Sequence, residues 1–133
     1  MLHSGMPLTL IGWELSCGEA TLSEEEMATI AAYDTPRARL ALDSNGVALR
    51  AARELQGQSG LALADPVAMA VALDPSIATE RAPCFVDVAT AEEATRGMTV
   101  VDRLGVTGRT PNAEVCFRID ASRWKALLDE ALR

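Results

Sequence analysis

Basic residues are scarce in this chain. Twelve Lys and Arg face nineteen Asp and Glu, a net charge of −7. So acidic a protein is a poor partner for nucleic acid or an anionic membrane, both of which need a basic surface. It suits a neutral or cationic ligand. Aromatics make up 4% of the residues, so alanine and leucine must fill the interior, which favours helices and close helix–sheet packing. Histidine occurs once, as His3, where a solvated tail residue is expected rather than a catalytic one. No apolar run approaches the roughly 20 residues of a bilayer span. Residues 1–7 lack the basic start of a signal peptide. The three cysteines, Cys17, Cys84 and Cys116, are far apart and odd in number. They give no support to a zinc site or a disulfide framework. Reduced, partly buried thiols in a cytoplasmic protein are the expectation.

What is present is enough for a core. With 133 residues, 49% of them apolar, the chain is long enough for one ordinary domain and too apolar for disorder. Residues 7–15, Pro-Leu-Thr-Leu-Ile-Gly-Trp-Glu-Leu, read as a short buried strand. Trp13 at its end is available to stack on a flat ligand ring, although core or interface packing is commoner. Ser23 with Glu26 three residues on forms a capping box, which starts a helix running to about Tyr33. Thr35-Pro36 starts another. Gly46 interrupts the stretch beyond it, giving either one weakened helix or two short ones. Residues 84–88, 98–102 and 114–120 read as strands. Gly105, Gly108 and Pro111-Asn112 imply a hairpin between the last two. Asp120 or Ser122 then caps a closing helix whose Trp124, Leu127, Leu128 and Leu132 share one face.

The most informative stretch is 61–75, Leu-Ala-Leu-Ala-Asp-Pro-Val-Ala-Met-Ala-Val-Ala-Leu-Asp-Pro. Asp65 sits at the mouth of an apolar run, where a charge is costly unless a cation or donors meet it. Pro66 suits the first position of a helix, so 65–73 reads as an apolar helix with Asp65 at its start. Asp65 is then a metal ligand or a plain helix cap. Asp74 reads as a turn residue, and Arg96 as the ion-pair partner of Asp102. Asn45 and Asn112 read as helix-surface and turn residues. An unrelated small enzyme using Asp65 with Asp102 or Asp120 finds no support in the spacing.

Four collinear segments carry a resemblance: the strand 7–15, Asp65-Pro66-Val67-Ala68, Thr95-Arg96-Gly97-Met98-Thr99-Val100-Val101-Asp102, and Pro111-Asn112 with the strand to Asp120. Together they resemble the C-terminal part of the inosine–uridine-preferring nucleoside hydrolases, over nearly the whole chain. The resemblance implies an α/β fold, the back portion of that fold: a short buried strand, packed helices and an antiparallel hairpin in a single partial domain, 1–133. It implies hydrolysis of the N-glycosidic bond of a ribonucleoside. It also implies a bound calcium with Asp65, the aspartate of the Asp-Pro-x-Ala segment, as a ligand.

Two departures limit what this chain does by itself. Many relatives carry histidine before that aspartate, thought to help the base leave; here Ala64 cannot transfer a proton. The family also opens with Asp-x-Asp-x-x-x-Asp-Asp, which supplies the general base and most calcium carboxylates, and a central segment supplies the residues that hold ribose. Neither is matched here. The expectation is a chain with weak or absent calcium binding and no catalytic residue of its own. It would depend on the missing N-terminal half or act as a self-associating or homologue-docking module. Base preference is not legible.

Overall fold

A capping box sets the first helix. In the computed structural model, which describes every residue but Glu92 and only the backbone of Gln56, Glu26 N–H donates to Ser23 Oγ at 3.1 Å. Ser23 N–H donates back to the Glu26 carboxylate at 2.8 Å. Helix α1 covers Glu24–Ala32. Replacing Ser23 by Ala is expected to cost about 1 kcal/mol, read as a lower urea midpoint at unchanged slope.

Glu26 also binds Lys125 of the last helix at 2.9 Å. Partial burial acts to raise its carboxyl, but the Ser23 N–H and the Lys125 ammonium outweigh this and hold it below the ordinary value. Its contribution is therefore complete above the ordinary carboxylate range and disappears as pH falls through the depressed value. A Glu26→Gln variant is expected to lose no more than about 1 kcal/mol at neutral pH, since the pair is part-exposed. It should also show a shallower acid limb in a plot of urea midpoint against pH.

Thr35 caps α2 (Pro36–Ser44) by accepting from Ala38 N–H. Its hydroxyl donates to Leu132 O at 2.6 Å, tying α2 to the chain's end. The stretch after it is two helices: α3 spans Gly46–Gln56. The break falls at Asn45, half-buried, whose amide donates back to Ala41 O at 2.8 Å. A short bridge between Leu22 and Leu61 closes this helical part. Gly60 permits it, because a Cβ there would lie 2.3 Å from Thr21 Cγ2 and 2.9 Å from Leu22 O. Helix α4 covers Ala64–Leu73 and α5 covers Ala121–Leu132; Asp120 caps α5 by accepting from Arg123 N–H.

The four strands are β1 (Thr9–Ile11), β2 (Ala78–Val88), β3 (Thr99–Asp102) and β4 (Ala113–Ile119), in the order β1-β4-β2-β3. β1 runs parallel to β4, with Thr9 opposite Glu114; β2 is antiparallel to both β4 and β3. The architecture is mixed α/β, as expected, with an antiparallel hairpin. That hairpin joins β2 to β3. The hairpin expected between β3 and β4 does not form, because β2 lies between them. The glycine-rich loop after β3 instead crosses β2 beside Phe85, where Arg109 lies 4.8 Å over the ring. Strand β2 also starts six residues before 84, through Pro83. Its first half has no strand on the β3 side, since β3 pairs only with Phe85 to Val88, and proline is tolerated on such a free side.

The helices cover one face of the sheet. Trp124, 1% exposed, packs there among Ala20, Val67, Ala70, Ile77 and Cys116, and its indole N–H donates to Ala20 O at 3.2 Å. A second, smaller cluster on the opposite face gathers Cys84, Val86, Ala113 and Val115, with Leu2, Leu8, Leu10 and Val101 packed on it. All three cysteines are free thiols, Cys84 and Cys116 buried and Cys17 half-buried. Among the described residues no helix is long and apolar enough to cross a membrane.

Candidate functional site

Strand β1 stops at Ile11, and the chain turns immediately through Gly12 into a 3-10 turn, Trp13–Ser16. The exposed Glu14 carboxylate folds back over Gly12, 2.2 Å from where a Cβ would stand, and a side chain at 12 would only have to displace that flexible end. Ser16, fully buried, donates to Trp13 O at 2.7 Å and locks the turn. The strand expected over 7–15 is therefore shorter, and Trp13 is not a strand or core residue but stands 61% exposed. The turn lies at the carboxyl end of the β1/β4 parallel pair, where open α/β sheets bind their ligands. A cavity of about 420 Å³ opens beside it, lined by Leu10, Gly12, Trp13, Glu14, Val101 and Val115, among others.

Helix α4 packs against β1 and this same turn. It begins at Ala64, one residue earlier than the proline suggested, with Leu63 as the capping residue and no side-chain cap. Asp65 is thus inside the first turn, not the cap, and it is exposed. Val67, Ala70 and Val71 bury the apolar face of the helix, and Asp65 keeps access to solvent. The full desolvation cost that seemed to demand a partner does not arise, though a carboxylate there still favours the positive helix end.

Calcium takes about six to eight oxygen ligands, largely carboxylates. Among the described residues no three Asp, Glu, His or Cys side chains come together as a metal-holding group. The described side chains do not by themselves fit a calcium ion.

The other acidic candidates have structural work. Asp74 accepts from Ser76 N–H and hydroxyl and pairs with Arg123 at 2.8 Å; those contacts, the Ser76 hydroxyl foremost, hold its carboxyl below the ordinary range. Asp102 accepts from the Thr107 hydroxyl and the N–H groups of Thr107 and Val106. The Thr107 hydroxyl is the main cause of its lowered pKa. It is the clasp of the loop after β3, and the expected Arg96–Asp102 ion pair is not among its contacts. Asp120 is committed to the α5 cap. His3 is not a free tail residue: its Nε2 lies 3.1 Å from Asp87. Asp87 is held below its ordinary value chiefly by that contact.

The residue that sequence reasoning undervalued is Asn112. Its Oδ1 accepts from Val86 N–H at 2.7 Å, and its Nδ2 donates to Val86 O at 2.9 Å and to Leu2 O at 3.1 Å. It continues the β2 ladder with a side-chain amide and holds the N-terminal segment down. The Pro-Asn pair suggested a turn, and nothing local showed that the amide would face a strand. Asn112→Ala leaves half-buried backbone groups unpaired and is expected to cost about 2–3 kcal/mol, measured by urea unfolding.

The family model for inosine-uridine preferring nucleoside hydrolases matches residues 1–126. The chain belongs to that family. It is 35% identical over 133 residues to the pyrimidine-specific ribonucleoside hydrolase RihA of Shewanella woodyi, covering 99% of this chain and 42% of that protein. It is 31% identical to the non-specific ribonucleoside hydrolase RihC of Shigella boydii, covering 99% and 41%. Its fold matches the plant nucleoside hydrolase PpNRh1 with a TM-score of 0.85 at 20% identity, over 98% of this chain and 42% of that one. A purine-preferring ribonucleoside hydrolase from Gardnerella vaginalis matches with a TM-score of 0.79 at 23% identity, over 98% and 41%. The chain therefore spans less than half the length of the nucleoside hydrolases it matches.

Proposed function

We propose that this chain is the C-terminal part of a nucleoside N-ribohydrolase unit, acting on ribonucleosides in the cytoplasm, and that it does not catalyse by itself. The observation that carries the reading is the family match over residues 1–126, joined to a carboxylate, Asp65, on a helix packed at the carboxyl end of a parallel strand pair. In the reaction, water replaces the base at the anomeric carbon of ribose. The base leaves with a proton that Ala64 cannot supply. When bound, calcium supplies a charge that orients water and ribose hydroxyls. This chain contributes Asp65 to its ligands, and the remaining oxygens come from polypeptide outside these 133 residues.

A chimera tests this. The 133 residues replace the matched 42% of Shewanella woodyi RihA, and uridine, cytidine and inosine hydrolysis is assayed in calcium. Turnover well above background is expected, and Asp65→Asn should lower kcat/KM by about 10²-fold or more, the scale of losing a charge-positioning group. A folded chimera with no turnover, or one indifferent to Asp65→Asn, contradicts the reading.

A further inference from the structure

We propose that Ser16 is a positioning residue for the proposed hydrolysis: its hydroxyl closes the turn after β1 and so fixes where the start of α4, with Asp65, stands against that strand. This rests on the functional reading above and adds to it a residue that does no chemistry itself.

Ser16 is the one polar or charged residue that is buried among the described residues. Enclosing a hydroxyl is costly unless it is hydrogen-bonded, and alanine would fill the place without that demand. The hydroxyl is answered by one short bond, from Ser16 Oγ to Trp13 O at 2.7 Å. Cys17 Sγ, at 3.8 Å, is a weak second donor to the same oxygen. The backbone adds Leu15 N–H to Gly12 O at 3.1 Å and Cys17 N–H to Glu14 O at 3.2 Å. A short 3-10 turn has poor hydrogen-bond geometry and holds itself weakly. The buried hydroxyl makes this one rigid.

From the turn a run of hydrogen bonds leads toward Asp65. The Ser16 carbonyl accepts from the Thr21 hydroxyl at 3.3 Å. Leu22, the next residue, exchanges two backbone bonds of 3.0 Å with Leu61, and both leucines are buried. Leu61 stands four residues before Asp65. Gly60 lies so close to Thr21 that a Cβ would come within 2.3 Å of its Cγ2, so the two segments touch directly. Helix α4 also packs on β1 and on the turn itself. Its start has no side-chain cap. The placement of that start depends on these neighbours, and the turn closed by Ser16 is common to both routes. Displacing a reacting group by about 1 Å can cost on the order of 10²-fold in rate, so a support that never touches substrate can still set the rate.

Two measurements test this. In the 133-residue chain, Ser16→Ala is expected to speed amide exchange at Leu61 and at Val67, which closes the first turn of α4 on Leu63 O, at least tenfold relative to Trp124 at the start of α5. Ser23→Ala, which removes the α1 cap, should leave that ratio within about threefold. In the RihA chimera, a double-mutant cycle reads kcat/KM for uridine hydrolysis. Ser16→Ala is expected to lower it at least tenfold in the parent but less than about threefold in the Asp65→Asn background, because a residue acting through Asp65 has nothing left to position once that carboxylate is gone. Ser16→Thr keeps the hydroxyl and should remain within about threefold of the parent. Where Ser16→Ala does not fold, Thr21→Val, which keeps the shape and removes only the hydroxyl bound to Ser16 O, goes through both measurements with at least a threefold effect expected in each. Exchange at Leu61 and Val67 that keeps pace with Trp124, or equal losses of kcat/KM in the two backgrounds, overturns the proposal in favour of a merely structural serine. An active, Asp65-dependent chimera in which Ser16→Ala costs nothing contradicts only this proposal. An inactive chimera, or one indifferent to Asp65→Asn, contradicts the functional reading and this proposal with it.

Discussion

Purified by itself, the 133-residue chain is expected to hydrolyse uridine and inosine at least 10⁴-fold more slowly than the RihA chimera, in the presence of millimolar calcium. The magnitude reflects two missing contributions. Loss of a general base costs about 10²- to 10⁴-fold. Loss of the groups that hold substrate in a reactive geometry removes a second, independent factor that reaches several orders of magnitude. Asp74, Asp102 and Asp120 do not substitute. Asp74 is occupied by Ser76 and Arg123, Asp102 by Thr107 and Val106, and Asp120 by the start of α5. Neither Asp74 nor Asp102 is poised as a base: their pKa values are shifted down, away from the neutral range a general base needs. A single-turnover assay with excess chain over labelled uridine checks this, and sustained turnover near chimera rates would contradict it.

The largest effect on stability is expected at Trp124. It is 1% exposed, packs where α5 meets α4 and the sheet, and spends its N–H on Ala20 O. With so few aromatics in the sequence, no comparable side chain stands ready to fill the space. Trp124→Ala removes the ring, opens a cavity and leaves Ala20 O without its donor, a loss of about 3–5 kcal/mol. That is a large share of the roughly 5–15 kcal/mol that holds a domain folded. The variant is expected to be largely unfolded or molten at 37 °C, seen as lost near-ultraviolet circular dichroism. Trp124→Phe keeps most of the packing but not the indole hydrogen bond and should recover over half of the stability. If both variants melt within a few degrees of the parent, the core has been wrongly placed.

Local rules carried much of the fold. The Ser23–Glu26 box, the Thr35-Pro36 start and the Asp120 cap are short-range devices, and each forms where its spacing indicates. The apolar run after Asp65 is a helix, and the free thiols agree with the cysteine spacing. The failures are long-range. Strand order depends on where β2 inserts, and no local pattern says that it separates β3 from β4. Strand β2 runs on through Pro83 because one side of it is a free edge there, which is a tertiary fact. Trp13 left the expected strand because Gly12 and the buried Ser16 close a tight turn that hydrophobicity does not reveal.

The same division holds at the site. The family was legible from four segments in order. The inferred role of Asp65 as a cap rested on assigning Pro66 to the first helical position, and the helix begins at Ala64 instead. Its access to solvent was not legible, because an apolar sequence neighbourhood does not fix which way one side chain turns. Asn112 was missed for the opposite reason: its chemistry depends on Val86 and Leu2, which are distant in sequence.

Calorimetric titration of calcium into the isolated chain bears most directly on the central claim, that these 133 residues hold one family carboxylate and not a calcium site. The account predicts no binding tighter than about millimolar, since one carboxylate and water fall well short of the roughly six to eight oxygens a calcium ion gathers, and no difference between the parent and Asp65→Asn. Stoichiometric binding in the micromolar range that Asp65→Asn abolishes would contradict it.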